Sequence, residues 1–315
     1  MITMIVPTRD RAHTLQRVLP SYYEQNLVSE IIFVCDAGAD NSESVIRQCS
    51  ARYPGVLTRF ERNTERRGAS YCRNVGVNFA CNDFILFCDD DEYLETDYAS
   101  VCLKKLLANN AGAVSGRRVY MHNDETPDQA LRRFGSGIRN SSPFRALICE
   151  YVNAASFEGD IRLPITNAII LTRKHLLLSF PFDTFYALGN GYREESDYQM
   201  NLFVHGYDIV ITNDCHSIHL PASKINSGGQ RTTPWKRLYW SIFYTHYFFG
   251  KYYAKYSLRM GIKWPKWVAV GAFIMFAVYR ETVRPPLYKL AHWWLRRRAR
   301  SHSSPSAAGR SGALR

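Results

Sequence analysis

In the first third of the chain, hydrophobic positions come in short solid runs, and polar positions gather where those runs end. Ile2 to Val6 is a β-type run cut off by Pro7, and Glu30 to Cys35, Val56 to Phe60 and Phe84 to Cys88 are three more. Between them the spacing turns helical. Asp10 to Gln25 places Leu15, Val18, Leu19 and Tyr22 on one face, with Asp10 as its expected cap. Ser42 to Tyr53 and Gly68 to Ala80 read as the next two helices. Strands alternating with helices in this order predict an α/β fold, a mostly parallel sheet flanked by helices. In such sheets ligands bind beyond the carboxyl ends of the strands.

Further on, Glu95 to Asn109 reads as a helix and Ala111 to Tyr120 as a strand. Residues 121–160 lack a clear period and read as a variable loop over the site. Asn167 to Thr172 is a strand and Arg173 to Ser179 a short helix. Tyr192 to His205 is a helix stopped by Gly206, a good C-cap. Tyr207 to Thr212 reads as the last strand, with His216 and His219 just beyond it. The composition changes from Ser223 to Thr233, a basic glycine-containing loop that either closes over a bound anion or is a plain linker. An aromatic helix follows, Trp235 to Tyr256. The apolar run Trp267 to Tyr279 is shorter than the roughly 20 residues a spanning helix needs. Past Pro285 and Pro286 lies His292 to Arg298, where tryptophan sits beside arginine. These changes divide the chain into 1–222, with halves of about 1–120 and 121–222, then 223–300, and a tail, 301–315, of disordered composition.

Apolar and charged fractions of 46% and 22% are ordinary for a globular chain, but the formal charge of +12 is not. It is uneven, because the C-terminal end is rich in arginine. Tryptophan beside arginine suits an anionic membrane surface, and the alternative is a helical hairpin packed on the core. Nucleic acid fits less well, because the aromatic residues there fall in apolar helical runs rather than as base-stacking platforms. None of the eight cysteines forms a CxxC pair, so they read as reduced core thiols and not as a disulfide or zinc framework. Met1 to Val6 reads as a strand and not as a signal peptide. Together these features place the chain in the cytoplasm, peripheral on the inner face of the membrane.

The candidate chemistry sits at strand and helix ends. The run Phe84 to Cys88 stops in Asp89, Asp90, Asp91 and Glu92. Like charges crowded there call for a cation, and hard oxygen ligands suit Mg²⁺ or Mn²⁺ together with substrate phosphates. The alternative is a solvated acidic turn. Asp36 follows the second strand, and Glu194, Glu195 and Asp197 open a helix, where the dipole alone favours carboxylates. Glu194 and Asp197 share a face, whereas Glu195 projects elsewhere and is free to act as a general base. Pro7-Thr8-Arg9-Asp10 after the first strand is not the GxGxxG of a dinucleotide site, which leaves a mononucleotide with a metal.

The ordered set of these pieces resembles family 2 of the inverting nucleotide-sugar glycosyltransferases, whose fold is called GT-A. It comprises Val6 to Asp10, Glu30 to Asp36, Arg67-Gly68 through Arg73-Asn74, and Phe87 to Asp91. Phe182-Asp183, Glu194 to Asp197, Gly206-Tyr207 and His219 complete it. The resemblance covers residues 1 to about 220. It implies that Pro7, Thr8 and Arg9 line the nucleotide pocket and that Asp36 meets the base. The family's usual acidic pair reads Cys35-Asp36 here, and Ala37-Gly38-Ala39 replaces its Gly-Ser-Thr, so the base identity is open. Arg67 and Arg73 are expected to reach the nucleotide or its phosphates, with Arg73 alternatively bracing the acidic loop. Asp89 and Asp91 match the family's DxD. The resemblance gives Asp91 to the metal, Asp89 to the ribose or the metal, and Asp90 to the sugar. Glu195 matches the catalytic base, with Glu194 as its rival. His219 matches a late metal ligand, with His216 as the alternative. Glu194, Asp197, Lys224 and Arg231 are left as acceptor or phosphate contacts.

The implied reaction moves a sugar from a nucleotide-diphosphate donor to a hydroxyl of a glycan or lipid-linked acceptor, with a divalent cation, Mn²⁺ or Mg²⁺, as cofactor. Two other classes compete. A sugar nucleotidyltransferase would carry a glycine-rich basic loop after the first strand. A non-catalytic membrane-associated nucleotide- or glycan-binding protein would lack the acidic triplet or the helix-start carboxylates.

Overall fold

A computed structural model describes residues 1–135, 142–153, 155, 157–225 and 232–286. The chain begins with β1 (Ile2–Thr8), α1 (Ala12–Tyr23), β2 (Val28–Cys35), α2 (Ser42–Ser50), β3 (Leu57–Arg62), α3 (Ala69–Phe79) and β4 (Phe84–Phe87). Next come β5 (Glu92–Leu94), α4 (Tyr98–Ala108), β6 (Ala113–Tyr120), α5 (Pro127–Gly135), β7 (Phe144–Arg145), β8 (Glu150–Tyr151) and β9 (Asp160–Leu163). The remainder is β10 (Ile170–Arg173), α6 (Lys174–Ser179), α7 (Glu194–Val204), β11 (Ile209–His219), α8 (Pro234–Met260) and α9 (Lys266–Val278).

The main sheet has the order β3-β2-β1-β4-β10-β6-β11-β5, with β9 also paired to β11. β1, β2, β3, β4, β6 and β11 run one way, and β5, β9 and β10 run against them. Side-chain alternation divides the core into two layers. Met4, Val6, Ile31 and Phe33 face α1, α2 and α4, while Ile5, Ile32 and Val34 face α3, α6, α7 and α8. α3 lies so close to β1 that a Cβ on Gly76 would stand 2.5 Å from Ile5 Cγ2. Any larger residue there would push the helix off the sheet.

Four expectations change. Asp10 does not cap α1, because its carboxylate accepts from Ala39 N (2.7 Å) and Asp40 N (3.3 Å) instead. Asp40 returns the bond to Ala12 N at 2.8 Å, so the two loops at the strand ends are laced together. The last strand does not stop at Thr212. A register irregularity between Thr212 and His216 absorbs the polar Asn213-Asp214, and pairing resumes through His219, which lies opposite Glu92. Arg117 braces that bulge through Asn213 (2.7 Å) and lies over Phe134 and Phe157. Residues 121–160 are not one loop but hold α5, the β7–β8 hairpin and the start of β9.

The fourth change concerns the C-terminal helices. Phe248, Phe249, Tyr252, Tyr253 and Tyr256 of α8 lie in the same apolar cluster as the inner face of the sheet. Each such buried ring contributes about 1.5–3 kcal/mol, so α8 is part of the core. α9 packs Ala269, Phe273 and Ala277 inward and leaves Trp267 (75%) and Met275 (70%) exposed. Among the described residues no helix is long and apolar enough to cross a membrane. His292 to Arg298 and the tail after 301 lie outside the described residues.

Candidate active site

The strand ends open on a cleft of about 1100 Å³ bordered by Thr8, Asp36, Asp89–Asp91, Glu194, Glu195 and His219. Five segments far apart in sequence therefore meet at the strand ends. Pro7 and Arg9 also border the cleft, and Thr8 is buried at its edge.

Six carboxylates share three arginines at the rim. Arg11 reaches Asp91 (3.2 Å) and Asp90 (3.7 Å). Arg118 holds Asp89 (3.0 Å) and Glu92. Arg73 holds Asp89 (3.3 Å), Glu195 (3.1 Å) and Glu194. The arginines do not cancel the charge. Burial pushes Asp90 up to about 7, Glu92 to about 8 and Glu194 to about 7, against the pull of Arg11, Arg118 and Arg73 respectively. Desolvation raises the half-buried Asp89 as well, yet Arg118 and Arg73 hold it below the usual carboxylate range. With six acids on three arginines, a cation at the rim would favour the charged form of these carboxyls.

The donor chemistry fits a divalent ion. Ligand atoms of Asp91, Glu92 and His219 lie within 4.8 Å of one another. His219 Nδ1 is 2.6 Å from the Leu220 carbonyl, which only accepts, so Nδ1 carries the proton and Nε2 the lone pair. That Nε2 stands 3.7 Å from Asp91 Oδ1. Burial lowers the histidine's pKa and favours the neutral ring a metal requires. His216, the alternative, is turned away and pairs with Glu95 at 2.9 Å. Asp89 is already committed to two arginines, whereas Glu92, one residue past the DxD match, stands beside Asp91.

The first turn of α7 separates its acids. Glu194 is buried, with Arg73 on one oxygen and Ser70 Oγ on the other at 3.2 Å. Glu195 is 27% exposed on the cleft wall, and Arg73 holds one of its oxygens. Arg73 thus joins the strand-end acids to the helix-start acids and is a brace.

Several expected contacts fall elsewhere. The Arg67 side chain turns to Glu65 (3.1 Å) and lies over Tyr71, and Arg66 borders the cleft instead. What Arg67 supplies is its backbone N–H, which with Gly68 N and Asn63 Nδ2 donates to Asp36 at 2.7, 2.9 and 3.1 Å. Asp197 does not border the cleft. It is buried behind α7 and bonded to Tyr186 (2.9 Å), Lys251 (2.8 Å) and Tyr252 (3.0 Å), tying α7 to α8. Lys224 is exposed, two residues past the cleft-bordering Ala222, and does not border the cleft itself. Arg231 lies outside the described residues. Sequence reasoning missed Arg11, Arg66 and Arg118, and it gave Glu92 no role beyond membership of the acidic run. For Arg118 the available signal was a charge inside a buried strand, at Arg117-Arg118.

A family model described as Glycosyl transferase family 2 matches residues 3–169. Chondroitin synthase of Pasteurella multocida (strain Pm70) is 29% identical over 133 residues, 42% of this chain and 13% of that protein. The Escherichia coli UDP-Glc:alpha-D-GlcNAc-diphosphoundecaprenol beta-1,3-glucosyltransferase WfgD is 24% identical over 125 residues, 39% of this chain and 48% of that one. The chain therefore spans less than half the length of these relatives. S. aureus TarS 1–349, solved with UDP-GlcNAc, shares the fold at a TM-score of 0.58 and 11% identity, over 89% of this chain and 72% of that one. The mannosyltransferase PcManGT from Pyrobaculum calidifontis, solved with GDP-Man and Mn²⁺, does so at 0.55 and 18%, over 93% and 79%.

Proposed function

The chain belongs to glycosyl transferase family 2, and from that premise we propose that it is a metal-dependent, inverting enzyme working at a membrane surface. In this reading it transfers a sugar from a nucleotide-diphosphate donor to a glycan or lipid-linked acceptor. It has the GT-A architecture and is a glycosyltransferase. The observation that carries the finer reading is Arg73, which holds a strand-end acid, Asp89, and a cleft-wall acid, Glu195, on one guanidinium. Donor phosphates and acceptor hydroxyl must meet at one carbon, and Arg73 ties the strand end that carries Asp91 to the helix start that carries Glu195.

Glu195 would take the proton from the acceptor hydroxyl as its oxygen attacks the anomeric carbon. Arg73 on one carboxylate oxygen keeps the other available to the hydroxyl. Attack from the face opposite the leaving diphosphate inverts the anomeric centre in one displacement, and no enzyme nucleophile is needed. Asp91 and His219, with Glu92 beside them, would hold the divalent cation, which supplies neutralisation of the charge that grows on the diphosphate. Thr8 and Arg9 would border the nucleotide, and Arg66 would meet its phosphates. Asp36 has three of roughly four acceptor sites filled by the β3–α3 connection, leaving one for the base.

The test is a donor screen that measures nucleotide diphosphate release from UDP-, GDP- and dTDP-sugars, with and without Mn²⁺. Release from one donor class that disappears with chelator is the expected result. Release that ignores the metal removes the metal role, and no release from any donor removes the reading.

Charge supports the membrane surface. Residues 223–315 carry eighteen Lys and Arg against one acidic residue, whereas 1–222 carry twenty-two against twenty-seven. Exposed Trp264 and Trp267 sit beside exposed Lys263 and Lys266 where α8 turns into α9. Each such lysine is worth about 1 kcal/mol near an anionic leaflet. Lys263→Glu with Lys266→Glu is therefore expected to cut sedimentation with phosphatidylserine vesicles by at least about 10-fold and leave donor hydrolysis unchanged. Unaltered sedimentation would remove this surface from the reading. The eight cysteines are all free thiols, which agrees with a cytoplasmic, peripheral location.

A further inference from the structure

Arg193 immediately precedes the Glu194-Glu195 pair, and no part of the reaction just described uses it. It takes up the left-handed region (φ 80°), an uncommon conformation for a residue with a side chain. Its carbonyl accepts from Asp197 N at 2.7 Å, so its backbone sets the first turn of α7. The guanidinium is buried and committed to protein. Nη1 donates to the Cys149 carbonyl, Nη2 to the Ile148 carbonyl (3.3 Å), and Nε to Thr245 Oγ1 of α8 (3.3 Å). Nη2 also pairs with Glu150 at 3.2 Å. Around it stand the rings of Tyr192 (5.3 Å), Phe248 of α8 (5.1 Å) and Phe273 of α9 (5.3 Å). Cys149, on the other side of the contact, is itself left-handed at φ 47°.

Strained backbone on both sides of one buried charge persists only where the surroundings over-determine it, and such sites cluster at functional centres. Burying a guanidinium is costly unless its donors are satisfied. An apolar side chain would fill this aromatic cage more cheaply. What an apolar side chain cannot do is hold the two consecutive carbonyls that precede the cleft-bordering Glu150, the Glu150 carboxylate and a helix hydroxyl at fixed distances from one backbone.

We propose that Arg193 is the positioning residue for the base. It locks the first turn of α7 to the 148–150 segment, whose Glu150 borders the cleft, and to the α8–α9 hairpin, so that the Glu195 carboxylate stands at a fixed distance from the reacting carbon. The C-terminal hairpin is thereby part of the catalytic scaffold as well as a docking surface. This rests on Glu195 acting as the base in the reading above.

The experiment compares wild type, Arg193→Lys and Thr245→Val in the full chain. It uses the sugar nucleotide that wild type hydrolyses fastest and measures kcat and donor KM for diphosphate release, together with the thermal midpoint. Lysine keeps the charge but lacks the planar fork. A misplacement of about 1 Å costs roughly 100-fold in rate, so Arg193→Lys is expected to lower kcat by about 30- to 100-fold. Its donor KM should stay within about twofold of wild type, because Asp36, Thr8 and Asp91 are untouched. Thr245→Val removes one hydroxyl acceptor at nearly constant volume and is expected to lower kcat by about 3-fold with KM unchanged. A kcat for Arg193→Lys within about threefold of wild type overturns the proposal. So does a loss that tracks donor KM or the fraction unfolded. Should Arg193→Lys fail to fold, Thr245→Val decides, and an unchanged kcat for it is the overturning result. A wild type that releases no diphosphate from any donor instead removes the family reading on which the proposal stands.

Discussion

Glu195→Gln lowers kcat for sugar transfer by about 10²–10⁴-fold, the usual contribution of a positioned general base, and leaves the donor KM within about twofold. Glutamine keeps the length and the hydrogen bond that Arg73 Nη2 makes to an oxygen at 3.1 Å. It removes only the capacity to take a proton. The rival is Glu194, and the structure separates the two by surroundings. Glu194 is buried between Arg73 and Ser70, and burial pushes its carboxyl up to about 7. Both of its oxygens are engaged by protein donors, whereas Arg73 holds only one oxygen of Glu195. Glu194→Gln removes the charge that pairs with Arg73 and is expected to act through the Arg73 brace, with donor KM and kcat moving together. Steady-state kinetics of both variants, with donor binding measured by calorimetry, distinguish them. A dead Glu194→Gln with unaltered donor binding, beside an active Glu195→Gln, would reverse the assignment.

Asp91→Ala removes metal-dependent turnover. One Asp91 oxygen faces His219 Nε2 at 3.7 Å and the other takes the Arg11 guanidinium at 3.2 Å. Loss of the carboxylate deletes a ligand and also leaves a buried arginine with only Asp90, at 3.7 Å, nearby. Mn²⁺ affinity, followed by electron paramagnetic resonance of the free ion without any donor present, is expected to fall by more than about 100-fold, beyond the 10–100-fold typical of an outer-shell change. Removing one partner of a buried ion pair also destabilises, by about 3–5 kcal/mol when the partner is left alone. Asp90 remains, so the thermal midpoint should drop by less than that figure implies. Wild-type Mn²⁺ binding by the folded variant would take Asp91 out of the metal site.

The sheet was readable because buried parallel strands are short solid apolar runs, and Ile2–Thr8, Val28–Cys35 and Phe84–Phe87 differ from the expected spans by a residue or two. The strand-end acids were readable for the same reason, since nothing in a buried strand explains four carboxylates at its end. His219 was in view but misplaced, because Asn213-Asp214 interrupts the alternation and hides a bulged strand that continues to it. Residues 121–160 were opaque because their first strands are two residues long and the one helix among them, Pro127–Gly135, is short.

Sequence alone settled the architecture and the residue types at the rim, because local periodicity and burial on both faces dictate a parallel sheet, and parallel topology dictates where its loops converge. It could not settle how the charges pair. Arg11, Arg73 and Arg118 lie on three different elements, and only the folded chain decides that Arg73 reaches Asp89, Glu194 and Glu195 together. The same holds for Asp197, which shares a helix turn with Glu195 and yet faces the core and Lys251. Side-chain direction within one turn is set by what packs against the helix. Here that is α8, from the far end of the chain, and no local pattern in residues 193–197 encodes it.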